Sequence, residues 1–127
     1  MSAYRSPRNP SRALQECHLP APRDAVLEKC GPGMAAKLRP ALVLSIPVLD
    51  HERHLDGIVP HTTHPWSTRF EAVIKLPWLK AGAFDAQGFR PVPLVAFQWR
   101  LGTLSGAQLA LVEDAVLRWI GVNRPSA

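Results

Sequence analysis

Apolar residues in the first two thirds of the chain recur with the spacing of β-strands. In the segment "RFEAVIKL" (residues 69–76), Phe70, Ala72, Ile74 and Leu76 alternate with Arg69, Glu71 and Lys75. This period of two predicts a half-buried strand. Runs of aliphatic and β-branched residues predict three more strands, at "DAVLEK" (24–29), "RPALVLSIPVL" (39–49) and "IVPHTT" (58–63).

Turn and loop residues separate these strands. The segment "CGPG" (30–33) predicts a turn after the first strand, and "DHERHLDG" (50–57) predicts a polar loop before "IVPHTT". Between Trp78 and Trp99, glycines and prolines interrupt any regular pattern, so this region is predicted to be irregular.

A single helix is predicted near the end of the chain, in "LSGAQLALVEDAVLRWIG" (104–121). Ser105 and Gln108 form a capping box at its start, and Gly121 is placed to end it. Leu109, Val112, Val116 and Trp119 share one face, and all four are predicted to lie in the core. Short strands covered by one helix predict a mainly β fold, a small barrel rather than a βαβ arrangement.

Composition fits one globular domain, because the 127 residues are 46% hydrophobic and 20% charged. Residues 1–22 combine prolines with scattered arginines and predict a basic, poorly ordered arm. Residues 23–122 are the predicted domain, and 123–127 a tail. The chain has neither the apolar run of a membrane span nor the apolar segment of a secretory signal, so a prokaryotic cytoplasmic protein is expected.

The charge is concentrated in the N-terminal third. Of the net +5, residues through Arg39 contribute +4, from seven basic and three acidic side chains. This predicts a nucleic acid or an acidic polypeptide as the partner, and a solvated basic tail is the alternative. Cys17 and Cys30 form no CxxC pair, which argues against a zinc ribbon or a disulfide framework.

The candidate chemistry lies at the end of the strand "IVPHTT". Arg39 offers a planar fork of donors to a phosphate, and the hydroxyls of Thr62 and Thr63 can donate to the same group. A histidine can serve as acid or base near neutral pH. Because neighbours in a strand face opposite sides, His64 shares a face with Thr62 and His61 does not. His64 is therefore the preferred catalytic histidine. The alternative is that His61 and His64 are both partly exposed loop residues with no role in catalysis.

A metal site is the competing interpretation of the histidines. "HERH" and "HTTH" place four histidines, His51, His54, His61 and His64, in two HxxH pairs. A spacing of three suits one face of a helix, which Gly57 and Pro60 disfavour here. We therefore predict a solvated histidine-rich loop, with no metal and no cofactor.

Four segments together resemble the MazF/PemK (Kid) family of toxin endoribonucleases. They are "KLRPALVLS", "IVPHTTH", "RFEAVI" and "RLGTLSGAQLALVEDAVLRWIGV", in the family's order and spacing, over about residues 23–122. The resemblance implies an SH3-like barrel of the MazF/PemK/CcdB type, a homodimer, and metal-independent cleavage of single-stranded mRNA at a short recognition sequence. It also implies inhibition by an antitoxin with an acidic, disordered segment.

The resemblance also assigns roles to residues. The family's catalytic arginine falls on Arg39, and its active-site hydroxyls fall on Thr62 and Thr63, with Thr62 the better match. The loop from Cys30 to Leu38 corresponds to the segment bordering the RNA groove. The RNA-binding positions that we expect are Lys37, His61, Gln87 and Arg90.

The sequence departs from the family pattern at several positions. Arg23 replaces a glycine, Gly88 is inserted beside Gln87, and residues 83–98 are interrupted by prolines. A non-catalytic binding protein on the same barrel, either a CcdB-like gyrase inhibitor or an inactive nucleic-acid binder, is the alternative function. Trp66, Trp78 and Trp99 can either stack on bases or pack, and packing is predicted for each.

Overall fold

The structure is a computed structural model that describes residues 24–30 and 37–122. The predicted arm (1–22), the tail (123–127) and most of the predicted loop between Cys30 and Leu38 lie outside the described residues. Within the described part, no helix is both long and apolar enough to cross a membrane.

The described chain forms seven strands and one α-helix. The strands are β1 (Asp24–Cys30), β2 (Lys37–Val43), β3 (Leu55–Thr62), β4 (Glu71–Ala72), β5 (Ala83–Asp85), β6 (Arg90–Pro93) and β7 (Phe97–Thr103). Helix α1 covers Gly106–Ile120, and two single turns of 3₁₀-helix cover Ala86–Gly88 and Leu94–Ala96. Strands were therefore predicted correctly at β1 and β3, and the region predicted to be irregular contains the short strands β5 and β6 and the start of β7.

All strand pairs are antiparallel, in the order β4-β5-β3-β2-β1-β7, with β6 also pairing with β3. β3 is long enough to pair with two strands on one side, β6 along residues 55–58 and β5 along residues 61–62. At the change of partner, a Cβ on Gly88 would lie 2.6 Å from Pro60 Cγ. The turn at Gly88 therefore packs directly on β3, which explains the glycine there.

The predicted strand over residues 39–49 ends early. It leaves the sheet after Val43, where the N–H groups of Leu44 and Ser45 both donate to the carbonyl oxygen of Gly57, at 2.9 and 3.4 Å. Gly57 itself belongs to β3, which begins at Leu55, so the connection covers residues 44–54 and both starts and ends earlier than the predicted loop of residues 50–57.

The predicted strand over residues 69–76 is reduced to Glu71–Ala72. Its only partner, β5, is three residues long and pairs with it at two positions, so most of the segment has no strand beside it in the described part of the chain. The alternation of buried and exposed side chains is nevertheless confirmed, because Ala72 and Ile74 are buried while Val73 is 68% exposed.

Both faces of the central sheet are buried. The cluster on the helix side contains Leu42, Val59, Ala72, Ile74, Phe84, Ala86, Leu104, Val112, Ala115 and Val116. The cluster on the other side contains Ala41, Val43, Ile58, Val92, Leu94 and Phe97. Neighbouring residues in Ala41–Val43 of β2 and Ile58–Val59 of β3 thus face two different apolar environments, which explains why these stretches are unbroken apolar runs.

Helix α1 confirms the predicted boundaries. Ser105 accepts a hydrogen bond from the Gln108 backbone, the Gln108 side chain accepts one from the Ser105 N–H, and Gly121 ends the helix at φ 81°. The prediction for Trp119 was wrong. Its side chain is 46% exposed and packs edge-on against the partly buried Phe70, with ring centroids 5.1 Å apart, rather than within the buried cluster.

Asp56 is an acidic side chain buried within β3. It is 1% exposed, its Oδ1 accepts a hydrogen bond from the Ser45 hydroxyl at 3.1 Å, and its Oδ2 has no partner among the described residues. Burial raises the pKa of Asp56 to about 6, and the bond from Ser45 opposes part of that rise. The ionised carboxylate therefore costs stability above pH 6.

Replacing Asp56 with asparagine is expected to remove one component of the pH dependence of stability. The folded state holds this proton up to about pH 6 and the unfolded state only up to about pH 4. The wild type should thus lose on the order of 3 kcal/mol as the pH rises through this window, and Asp56→Asn should not. Urea unfolding of both proteins at pH 4, 5, 6 and 7 measures the difference. If the free energy of unfolding changed with pH in the same way for both proteins, Asp56 would not be a buried group that binds a proton in this range.

Candidate functional site

A groove of about 620 Å³ opens where β2 begins and β3 ends. It is lined by Leu38, Arg39, Pro40, Pro60, His61, Thr62, Thr63, His64, Trp78, Leu79, Lys80 and Leu101. The predicted catalytic residues Arg39, Thr62, Thr63 and His64 are therefore all found in one groove, although 23 positions separate Arg39 from Thr62 in the sequence.

Two prolines account for the opening between the strands. The last paired residues of β2 and β3 on this side are Ala41 and Pro60. Pro40 and Pro60 have no N–H to donate, so neither can extend the ladder. Arg39 and Thr62 consequently lie beyond the last β2–β3 pair, with space for a ligand between them, while Arg39 still pairs with β1 and Thr62 with β5.

Hydrogen bonds organise the end of β3. Thr62 Oγ1 accepts a bond from the His64 N–H at 3.1 Å, which turns the chain and leaves the Thr62 hydroxyl proton available to donate. Thr63 Oγ1 lies 3.1 Å from His64 Nδ1, so the hydroxyl and the imidazole are hydrogen-bonded. Both of these side chains are exposed. The turn thus holds two hydroxyls and one imidazole together at the rim of the groove.

His61 is held differently from His64. Its side chain is 6% exposed and packs edge-on against Phe84, with ring centroids 5.0 Å apart. Its Nε2 has no hydrogen-bond partner among the described residues. Burial lowers the pKa of His61, so the ring is neutral at pH 7. The alternative that His61 is an exposed loop residue is therefore wrong, because its strand pairs with β5 and places the ring inward.

The basic side chains among the described lining residues are Arg39 and Lys80, and both are exposed. They give the groove a positive character beside the neutral His61 and the hydroxyls. Lys80 was not predicted from the sequence, because it lies in the irregular segment after Trp78. The only signal for it was a basic residue next to two apolar ones, in "WLK".

The segment between Leu76 and Gly82 forms one wall of the groove. The Leu79 N–H donates to the Leu76 carbonyl oxygen at 3.2 Å. A Cβ on Gly82 would overlap the Thr62 carbonyl oxygen and lie 2.8 Å from His61 Cε1. The wall therefore touches the backbone of the turn at Thr62–His64, and sequence reasoning missed Gly82 because this contact is not local.

Gln87 and Arg90, two of the predicted RNA-binding residues, lie away from this groove. Gln87 lines a separate cavity with Trp66, Thr68, Glu71 and Asp85. Arg90 lies on β6, where it pairs with Ile58, and its guanidinium donates to the Gly88 carbonyl oxygen at 3.4 Å. Lys37, the first residue of β2, lies two positions before Arg39.

The Gln87 cavity is built on a tight turn. Both oxygens of Glu71 accept backbone N–H bonds, from Trp66 at 2.8 Å and Thr68 at 2.7 Å. Burial acts to raise the pKa of Glu71, but these bonds outweigh it and lower the pKa. Trp66 is 87% exposed on this turn, so the prediction that it packs was wrong.

The histidines of the two HxxH pairs are not gathered into one cluster. His51 and His54 are exposed in the loop before β3, and the His54 ring contacts the Asp50 carbonyl oxygen at 3.4 Å. Within residues 24–30 and 37–122, no group of three or more His, Cys, Asp or Glu side chains is arranged to hold a metal ion.

Comparisons with known proteins define the fold as that of a bacterial toxin class. No family model matches the chain, and no curated protein matches its sequence. Solved structures of MazF toxins do match, however, at TM-scores well above those of unrelated folds. The predicted SH3-like barrel of the MazF type, with one C-terminal helix, is thereby confirmed.

Three of these structures illustrate the likeness. A MazE–MazF complex from Deinococcus radiodurans has a TM-score of 0.72 at 21% identity, covering 84% of this chain and 100% of that one. A mycobacterial endoribonuclease in complex with its cognate antitoxin gives 0.70 at 16%, covering 84% and 100%. The Mycobacterium tuberculosis toxin MazF-mt6 gives 0.67 at 16%, covering 80% and 100%.

Proposed function

We propose that this protein is the toxin of a type II toxin–antitoxin system, an endoribonuclease that cleaves single-stranded mRNA at a short recognition sequence without a metal ion. The observation that carries the proposal is the meeting of Arg39, Thr62, Thr63 and His64 in one groove. The MazF fold supports it, since the similar structures include an endoribonuclease and toxins bound to antitoxins.

The reaction is attack of the RNA's own 2′-hydroxyl on the adjacent phosphorus. The 2′-oxygen forms a new bond to phosphorus as its proton passes to a base, and the bond to the 5′-oxygen breaks as that oxygen takes up a proton. The products are a 2′,3′-cyclic phosphate and a 5′-hydroxyl. Negative charge grows on the phosphoryl oxygens in the transition state and requires donors there.

Arg39 and Thr62 are assigned the role of stabilising the negative charge on the phosphoryl oxygens. The guanidinium of Arg39 offers paired N–H donors across from the catalytic turn, and its charge strengthens both bonds. The Thr62 hydroxyl accepts from the His64 backbone and therefore directs its own proton elsewhere. It can then donate to the second oxygen of the phosphate that Arg39 binds.

His64 is assigned to proton transfer, with Thr63 orienting it. The 3.1 Å bond to Thr63 engages Nδ1, which directs Nε2 toward the bound nucleotide. From there Nε2 can accept the 2′-proton as the new bond to phosphorus forms and then, as an imidazolium, donate that proton to the leaving 5′-oxygen as the old bond breaks. Together with Arg39 and Thr62, it fills every role in the reaction with a side chain, so the proposal includes no cofactor.

Binding partners and location belong to the same proposal. The protein is proposed to act as a homodimer in the prokaryotic cytoplasm and to be inhibited by a cognate antitoxin. An acidic, disordered antitoxin segment suits the exposed Arg39 and Lys80 and the apolar Leu38, which is 51% exposed at the same groove.

The direct test is incubation of the purified protein with a long single-stranded RNA in excess EDTA, followed by mapping of the fragment ends. Discrete cuts ending in 2′,3′-cyclic phosphates are expected. Binding of the RNA without any cut would instead favour the non-catalytic alternative. Cuts that appear only after divalent ions are restored would refute the metal-independent mechanism.

Replacing His64 with glutamine is expected to slow cleavage on the order of 10²-fold, because general acid–base catalysis typically contributes that much or more. Single-turnover rates on the mapped RNA site measure the loss. His51→Gln is the matched control, since His51 is exposed and lies outside the groove, and it should cleave at the wild-type rate. Equal rates for the two variants would remove His64 from the mechanism.

A further inference from the structure

Trp78 packs one face of its ring on the backbone of β7. Three indole atoms, Cε2, Cζ2 and Cδ2, all lie within 2.8 Å of the position that a Cβ on Gly102 would occupy. Cδ2 and Cε2 form the fusion bond of the two rings and Cζ2 is their neighbour in the six-membered ring, so the contact is with the flat face of the indole and not with its edge. The opposite face is therefore turned away from β7, and the residue lines the groove.

The position of this ring is fixed by its surroundings. Trp78 is half-buried against the helix-side core, and the turn around it is closed by the Leu79–Leu76 backbone bond. Gly82, four residues later, rests on the Thr62 carbonyl oxygen. The indole is thus held at a set position relative to the catalytic turn, which lowers the entropic cost of placing a ligand against it.

The groove beside Trp78 presents groups that suit a nucleotide. Lys80, two residues from the indole, is exposed and carries a positive charge. His61 lines the same groove, but its ring is nine-tenths buried and its Nε2 is enclosed by protein atoms. The groups that the groove offers to a ligand here are therefore an aromatic ring and a cation, which match a base and a phosphate.

We propose that Trp78 and Lys80 form a nucleotide subsite beside the cleaved bond, in which an unpaired RNA base stacks on the indole and Lys80 binds its phosphate. The subsite rests on the proposed nuclease function. It makes single-strandedness a requirement of this groove, because a base held in a duplex has both faces covered and cannot reach the ring.

The subsite is tested by binding, separately from cleavage. The probe is a short, fluorescein-labelled RNA spanning the mapped cut site, with 2′-O-methyl riboses so that it cannot be cleaved, used alone and annealed to its complement. If no cut is found, a mixed-sequence RNA of the same kind is used. Fluorescence anisotropy is measured with the wild type, Trp78→Leu, Trp78→Phe and Lys80→Ala.

Trp78→Leu is expected to bind the single strand about tenfold more weakly, the lower part of the range for loss of one stacked base. Trp78→Phe should retain much of the affinity, and Lys80→Ala should reduce both affinity and its salt dependence. Trp99→Leu is the matched control, because Trp99 is 40% exposed on β7 and does not line this groove, and its affinity should not change. The duplex should bind poorly to all variants.

The outcomes separate the subsite from the nuclease. Cleavage by the wild type with unchanged affinity in a folded Trp78→Leu and in Lys80→Ala would overturn the subsite and leave the nuclease in place. Trp78-dependent binding of the single strand without cleavage would support the subsite and overturn the nuclease. Equal affinity for the duplex and the single strand would overturn base stacking. If Trp78→Leu does not fold, the affinity of Lys80→Ala and the preference of the wild type for the single strand over the duplex decide the question.

Discussion

The Arg39→Ala variant is expected to cleave RNA on the order of 10³-fold more slowly than the wild type and to retain its fold. Arg39 is exposed on a strand end, outside both buried clusters, so its side chain contributes little to packing. Its proposed role is to stabilise charge that develops in the transition state, and loss of one such donor typically costs 10²–10³-fold or more. Single-turnover cleavage and circular dichroism measure the two quantities.

A charge-matched control separates the role of Arg39 from a general effect of net charge. Arg53→Ala removes an exposed arginine from the loop before β3, outside the groove, and should cleave nearly as fast as the wild type. Arg39→Lys should recover only part of the activity, because an ammonium cannot offer a planar pair of donors. An Arg39→Ala variant within tenfold of the wild-type rate would refute the proposed mechanism.

The Gly82→Ala variant is expected to lose both stability and activity. A methyl group at this position would overlap the Thr62 carbonyl oxygen, and a backbone atom in a paired strand cannot move aside cheaply. Strain from an added methyl group typically costs 1–3 kcal/mol, so we expect a fall in melting temperature of roughly 5–10 °C. Because Thr62 must shift, cleavage should also fall by about 10²-fold.

Gly106→Ala is the matched control for this substitution. Gly106 is the first residue of α1, and a Cβ there would meet nothing within 4 Å. Its melting temperature should match or slightly exceed that of the wild type, because alanine reduces the entropy of the unfolded chain. Thermal unfolding and cleavage of both variants are measured together. Wild-type behaviour of Gly82→Ala would show that the wall does not support the catalytic turn.

The residues of the candidate site could be selected from the sequence for a local reason. Thr62, Thr63 and His64 are adjacent in the chain at the end of an apolar strand, and the turn that organises them is made by their own hydrogen bonds. Arg39 was predictable as well, because it begins a second apolar run and carries a side chain suited to phosphate. Their presence in one groove depends on the pairing of β2 with β3.

The wall of the groove was not predictable in the same way. Lys80 and Gly82 lie in an irregular segment whose position is set by contacts with Thr62 and with β7, far apart in sequence. Trp78 was expected to pack, and it does pack, on Gly102. Only the structure shows that the same ring also borders the groove.

The sequence by itself determined the elements whose causes are local. The capping box at Ser105, the helix end at Gly121 and the burial pattern around Ala72 follow from neighbouring residues, and each is found in the structure. The tertiary structure decided what depends on distant partners. It shortened β4 because β5 offers only two pairs, and it buried His61 because that strand lies against Phe84. Local hydrogen bonds and periodicity depend on residues close together in the sequence. Strand length, burial and the groove depend on contacts between segments that are far apart in the sequence.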